Sequence, residues 1–260
     1  MKKRIISAAV LILVLVPFLI LGGKPFALCV GVISIFAYKE ITSLYKYPLV
    51  VRFLGFLALI SLIYSNFDSN TIAFGLDYKL LSLMMLMIFI PVIFYQEKKK
   101  YTTSDAFKLF GFIFLVGLGL NYMILIRSMG LKYFLFMILI PIITDTFAYI
   151  GGMLIGKHKI TAISPKKSLE GFITGSFMGT FMMCVYYVTF IGSINIFKLM
   201  GIILILTVVS HLGDLFFSAI KRNHDIKDFS NLIPGHGGVL DRIDSQLFVA
   251  IAFMLFINML

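Results

Sequence analysis

Nine runs of mostly apolar residues recur along the chain, at about 5–21, 26–42, 49–65, 80–96, 107–126, 133–155, 171–191, 198–220 and 246–260. Each approaches the roughly 20 residues that an α-helix needs to cross about 30 Å of hydrocarbon. In lipid every backbone N–H and C=O must be satisfied within the protein, so such runs have to be helices. The expected fold is therefore all-α and polytopic, with about nine transmembrane helices. Composition agrees: 60% of the 260 residues are hydrophobic and 13% charged, and a mean hydropathy of +1.01 lies outside the range of soluble domains. Lys39 and Arg52 fall near the ends of their runs, where long side chains can reach the interface.

The basic residues orient the chain. With a cytoplasmic N-terminus, 18 of the 23 Lys and Arg fall on the inner side, leaving Lys24, Lys79, Arg127, Lys132 and Lys198 outside. The formal charge of +11 is thus a topology signal, with attraction to anionic lipid as a secondary effect, and it does not point to nucleic acid. The expected location is the inner cell membrane, multi-pass, with the polar site facing the cytoplasm. The opening KKRIISAAVLILVLVPFLILGG has the basic and apolar regions of a signal peptide, but no small-x-small cleavage site follows, so it reads as an uncleaved first span. The two cysteines, Cys29 and Cys184, lie in apolar runs and read as packing residues.

Acidic residues divide the chain. Residues 1–130 carry Glu40, Asp68, Asp77, Glu97 and Asp105, all in loops or at span ends within reach of water, and this part reads as a five-span scaffold. Residues 131–260 read as the catalytic domain. There Asp145 and Asp214 sit at membrane depth, where an ionised carboxylate is costly unless it is paired, metal-bound or facing a wet cavity. The plain alternative for both is an interhelical hydrogen bond or salt bridge. Cytoplasmic loops at 156–171 and 221–245 accompany them on one face of the membrane.

Within α-helical geometry Ser210, Asp214, Ser218 and Lys221 form one stripe, at spacings of four, four and three, with His211 flanking it. In GHGGVLDRIDS, Gly237 and Gly238 let backbone amides approach an anion, and VLDRIDS opens a short helix with Asp241 and Asp244 one turn apart. Together with Asp214 these carboxylates offer hard oxygen ligands of the kind that suit Mg²⁺. A solvated loop with a capping aspartate is the competing reading for Asp241. In ISPKKSLEG, Lys166 and Lys167 between Ser164 and Ser168 can neutralise phosphate, although paired lysines at a span's inner end are also ordinary topology residues. Two apparent motifs are accidental: GGMLIGKH has His where a P-loop needs Ser or Thr, and Ser164-Pro-Lys-Lys167 lacks the partner motifs of S-x-x-K enzymes.

Taken in order, these blocks resemble a known signature. Ser218-Ala-Ile-Lys221-Arg222, Lys227-Asp228 and Leu232 through Ser245 are similar to the signature of the phosphatidate cytidylyltransferases, the CDP-diacylglycerol synthases. Asp145-Thr-Phe-Ala-Tyr-Ile-Gly-Gly, Gly156-Lys157, Ser164 through Gly171 and Ser210-x-x-Gly-Asp214 resemble further blocks of that family, so the likeness covers about residues 140–245. The resemblance implies transfer of cytidylyl from CTP to phosphatidate, giving CDP-diacylglycerol and pyrophosphate, with Mg²⁺ and a second, monovalent cation such as K⁺. It implies Asp214 and Asp241 as metal ligands, with Asp244 and Asp145 as further contributors. Lys166, Lys167, Lys221 and Arg222 would grip phosphates, and Gly237-Gly238 would cradle the triphosphate. His236 would donate to phosphate, while Ser164, Ser168, Ser218 and Arg242 complete the substrate-binding set. A homodimer is the expected assembly.

Other classes make different demands. A cation-coupled transporter would account for Asp145 and Asp214 but predicts inverted repeats, which the halves do not show, and leaves the polar loops unexplained. CDP-alcohol phosphotransferases require a D-G-x-x-A-R run that this chain lacks. A CTP-dependent polyprenol or dolichol kinase is the nearest alternative enzyme, separated by which phosphate of CTP reaches the lipid.

Overall fold

The structure, a computed structural model, describes residues 2–65, 78–97, 99–161, 163–192 and 194–260, without the side chains of residues 2–6 and 8. Asp68, Asp77 and Lys98, with the side chains of Lys2, Lys3 and Arg4, lie outside the described residues. Within them the chain is helical: α1 Lys2–Leu21, α2 Gly23–Leu44, α3 Leu49–Ile63, α4 Tyr78–Tyr95, α5 Thr103–Met129, α6 Leu131–Ile155, α7 Leu169–Phe190, α8 Ile196–Asn223 and α9 Leu240–Phe256. Only isolated bridges, Lys159–Ser168 and Ile233–Gly237, add β-type pairing among the described residues. Six helices, α2 and α4 to α8, are long and apolar enough to cross a membrane, and α3 and the 9–21 stretch of α1 are shorter apolar helices. This is a multi-pass membrane protein.

The chain forms two compact units, Met1–Leu125 with Ser230–Leu240, and Ile126–Phe229 with Asp241–Leu260. In the first, α1 stops where Gly22 and Gly23 take φ of 63° and 49°, values that glycine adopts without strain. α5 starts on a capping box: Asp105 Oδ2 accepts from Thr102 N–H at 3.0 Å and from its hydroxyl at 2.7 Å. Further along α5, buried Asn121 donates to the Ile63 carbonyl at 2.8 Å, satisfying the end of α3.

Glu40 corrects the sequence reading, which puts it where water can reach. It is 5% exposed within α2. Its Oε1 accepts from the Ser230 hydroxyl at 2.7 Å and the Val239 N–H at 2.8 Å, and its Oε2 from the Leu240 N–H at 2.8 Å. A buried carboxylate persists because these three donors replace the water it loses.

In the second unit α6 and α7 are the most closely packed pair. Gly171, Gly175 and Gly179, spaced by four, form a strip of bare backbone on α7, against which Thr144 and Ala148 of α6 lie. A Cβ at Gly175 would stand 2.7 Å from both the Thr144 carbonyl and the Ala148 Cβ. Gly175→Ala should therefore force the helices apart and destabilise the fold by about 1–3 kcal/mol. Gly201→Ala, on α8 with open space around it, should leave stability unchanged or raise it slightly; thermal unfolding in detergent compares the two.

Candidate active site

α6, the 156–168 loop, α7 and α8 enclose a cavity of about 360 Å³. Asp145, Lys166, Lys167, Ser168, His211 and Asp214 line it together with Tyr149 and Met153. Local hydrogen bonds shape the segment between α6 and α7. Ser168 caps α7, its Oγ accepting the Gly171 N–H at 3.1 Å. Glu170 ties the loop back: Oε2 accepts the Lys157 N–H at 3.0 Å, and Oε1 is 2.6 Å from His158 Nδ1. The loop so held presents Lys166 and Lys167 to the cavity.

Lys167 Nζ forms an ion pair with Asp214 Oδ2, each side chain about one-quarter exposed. The Ser218 hydroxyl approaches Asp214 Oδ1 at 3.4 Å, one turn along α8. Asp145 faces the same charges from α6, within the fields of Lys167 and Asp214. His211 packs against Phe172, ring centroids 4.6 Å apart, and its Nδ1 is 3.8 Å from Asp145 Oδ1. That distance is too long for a hydrogen bond.

The expected stripe on α8 is thus put to three uses. Ser210 is fully buried, Asp214 and Ser218 face each other, and Lys221 turns to another partner. Its Nζ meets Asp241 Oδ1 at 2.7 Å, with the side chains 10% and 3% exposed. Asp241 Oδ2 accepts the Phe229 N–H at 2.9 Å, and the ammonium lies 5.5 Å from the centroid of the Phe229 ring. Burial of two charges requires partners of this kind.

Asp244 is buried one turn further along α9, and its Oδ1 accepts the N–H of Ser245 at 2.7 Å. It feels the charges of Asp214, Lys221 and Asp241. Arg222 is exposed; its Nε donates to the Ile163 carbonyl at 3.4 Å and its Nη1 to the Ile226 carbonyl at 3.0 Å, an arrangement that ties α8 to the 156–168 loop. Arg242 is exposed and Ser164 half-buried. Among the described residues no three His, Cys, Asp or Glu side chains already stand together as a metal-ligand group.

Residues 230–240 belong to the first unit. There Gly235 and Gly237, with φ of 79° and 81°, shape a tight turn closed by His236 N–H to the Ile233 carbonyl at 2.8 Å and Ile233 N–H to the Gly237 carbonyl at 2.9 Å. The Ser7 hydroxyl donates to the Pro234 carbonyl at 3.0 Å and lies 2.8 Å from His236 Nδ1. With that hydroxyl proton on Pro234, the imidazole donates through Nδ1 and keeps Nε2 for another partner. The anion that approaches the amides after Gly238 is Glu40, a residue that the motif-based reading passes over. Its only sequence signal is an acid near the end of an apolar run.

Comparison with known proteins covers the whole site. The sequence model of the cytidylyltransferase family matches residues 2–260. The phosphatidate cytidylyltransferase of Staphylococcus aureus is 32% identical over 255 residues, and that of Staphylococcus haemolyticus 33% over 252, each alignment spanning 96% of both chains. The protein of that name from Staphylococcus saprophyticus is 33% identical over 253 residues, with the same coverage. A match of this length, through both compact units and every block of the signature, means that the chain belongs to the cytidylyltransferase family.

Proposed function

We propose that this protein transfers cytidylyl from CTP to phosphatidate, forming CDP-diacylglycerol and pyrophosphate for phospholipid synthesis. The observation that carries the reading is a cavity in a membrane protein that holds Asp145 and Asp214 on helices and Lys166 and Lys167 on a loop, with exposed apolar side chains at its edge. Tyr149 is 68% exposed and Met153 67%. Acyl chains can remain in lipid beside this α6 face while the head group reaches the charges. The full topology proposed is nine spans with a cytoplasmic N-terminus, the site on the cytoplasmic face of the inner membrane, and a homodimeric assembly.

The phosphate oxygen of phosphatidate attacks the α-phosphorus of CTP. One P–O bond forms there, and the bond from the α-phosphorus to the bridging oxygen breaks, so pyrophosphate leaves with the electron pair. The attacking oxygen is already anionic near neutral pH and needs no strong base. It needs neutralised charge and in-line placement. Lys166 and Lys167 bear on phosphates in the cavity. Lys167, which neutralises Asp214 in the protein alone, is placed to turn its ammonium to substrate. Arg222 orders the loop that carries both lysines.

The donor set fits a hard cation. Asp244 is buried without a Lys or Arg ion-pair partner among the described residues, yet lies in the fields of Asp214 and Asp241; an added positive charge would relieve all three. Asp214, Asp241 and Asp244, with Asp145, would hold Mg²⁺ and a monovalent cation such as K⁺. When bound, these ions supply neutralisation of the triphosphate and stabilise the leaving pyrophosphate.

Label placement tests the proposal. Purified protein given phosphatidate, Mg²⁺ and CTP labelled at the α-phosphate should place label on the lipid, while label at the γ-phosphate should leave as pyrophosphate. Lipid labelled from the γ-phosphate would instead identify a CTP-dependent lipid kinase. Cation-coupled uptake into vesicles without CTP turnover would identify a transporter.

A further inference from the structure

We infer that Glu40, on α2 of the N-terminal half, is a positioning residue for the reaction, setting the start of α9 and with it Asp241 and Asp244. The inference rests on the cytidylyl-transfer reading. The observation beneath it is a buried carboxylate with no Lys or Arg ion-pair partner among the described residues, satisfied instead by Ser230, Val239 and Leu240.

Three features separate this arrangement from ordinary packing. The amides of Val239 and Leu240 open α9, so the carboxylate sits at the positive end of the helix and satisfies donors that have no partner within it. Ser230 lies at the other end of the same segment, so one side chain fastens both ends of residues 230–240. Immediately outside those ends, the Phe229 N–H bonds to Asp241 at 2.9 Å, and Asp241 is the residue after Leu240. Successive pins therefore fix where Asp241 starts its turn of helix.

Gly238 supplies independent support. A Cβ there would stand 2.5 Å from Glu40 Oε1 and 2.7 Å from Oε2 and Cδ. Any side chain at this position would have to displace the Glu40 carboxylate from the space it fills. The close approach of an anion that glycines suggest in GHGGVLDRIDS is met at this point by the chain's own carboxylate. A scaffold helix and the signature segment thereby become one mechanical part, although they are 200 residues apart.

Charge-assisted bonds to two amides hold direction as well as distance. Glu40→Gln keeps the shape but offers one carbonyl oxygen where two carboxylate oxygens now accept. The amide group then opposes an N–H or the Ser230 hydroxyl. Small displacements of catalytic groups are expensive in rate, so the effect should appear in turnover and in cation dependence more than in the KM for phosphatidate.

The test uses the full-length protein in detergent–lipid micelles with Glu40→Gln, Glu40→Asp, Gly238→Ala and the Glu40→Gln/Gly238→Ala double variant. Glu40→Gln should lower kcat about tenfold or more and raise the Mg²⁺ needed for half-maximal activity several-fold, with KM for phosphatidate changed less than about twofold. Amide hydrogen exchange, read without substrate or metal, should quicken in peptides covering 230–244 and stay unchanged in α6 and α7. Glu40→Asp should recover part of the loss, and the double variant should be no worse than the worse single one. If Glu40→Gln fails to fold, Gly238→Ala carries the same test with the charge intact. A folded Glu40→Gln or Gly238→Ala protein with wild-type kcat and Mg²⁺ dependence overturns the inference. So does faster exchange spread over every helix with kcat per folded molecule unchanged, the mark of a purely structural residue. Should the wild-type protein transfer no α-label, the proposed reaction fails, and the exchange pattern alone decides whether Glu40 holds the segment.

Discussion

Asp214→Asn should reduce cytidylyl transfer on the order of 10³-fold while the protein still inserts and melts close to wild type. The two halves of that expectation have separate causes. Asp214 is about one-quarter exposed at the cavity wall, and its partners there are Lys167 and the distant Ser218 hydroxyl. An ion pair so placed contributes about 0–1 kcal/mol to stability, and Asn fills the same volume. Activity is another matter, because the proposed cation needs a full negative charge at this position. The comparison that isolates the role is Lys167→Met. If Asp214 served only to hold Lys167, both variants would lose equal activity, their combination would cost no more than either, and Mg²⁺ dependence would stay put. A metal role predicts that only Asp214→Asn loses the response to Mg²⁺. Near-full turnover in Asp214→Asn removes the assignment. Steady-state rates with α-labelled CTP, a Mg²⁺ titration and a melting curve on the same preparations decide among these outcomes.

Helix positions were legible from hydropathy because lipid forbids unpaired backbone, so an apolar run of sufficient length has one conformation open to it. Helix ends were less legible. The fifth run, 107–126, becomes Thr103–Met129, since a helix continues past the hydrocarbon wherever caps such as Thr102–Asp105 allow. VLDRIDS, read as the opening of a short helix ahead of a span at 246–260, is the first part of one continuous helix from Leu240 to Phe256. Nothing between Ser245 and Phe248 breaks it.

The candidate residues were visible in the sequence, and their pairings were not. Residue type and spacing pick out Lys166, Lys167, Asp145 and Asp214, which one cavity brings together. They do not say that Lys221 belongs to Asp241 and Lys167 to Asp214, because two lysines and several carboxylates satisfy charge in more than one way until packing chooses. Glu40 was illegible for a stronger reason. In sequence it resembles an acid at the water-facing end of a span, and only tertiary structure shows that amides 199 and 200 residues away replace that water.

The Lys221–Asp241 pair gives the second large expectation, this time in stability. Both side chains are buried, and Asp241 also accepts the Phe229 N–H. Lys221→Met leaves a carboxylate in a place water does not reach. Asp241→Leu leaves an ammonium there beside an unbonded amide. Each single change should destabilise the protein by about 3–5 kcal/mol, the cost of stranding a buried charge. The double change strands no charge, and its residual cost includes the Phe229 N–H, about 1–3 kcal/mol. Chemical or thermal unfolding of the four proteins therefore measures a coupling that favours the double variant over Asp241→Leu. Activity should respond differently. If Asp241 contributes to binding the cation and Lys221 only to folding, the double variant regains stability and remains inactive. A double variant as unstable as Asp241→Leu would show that the pair is not coupled as the distances imply, and recovery of turnover with stability would take Asp241 out of the reaction.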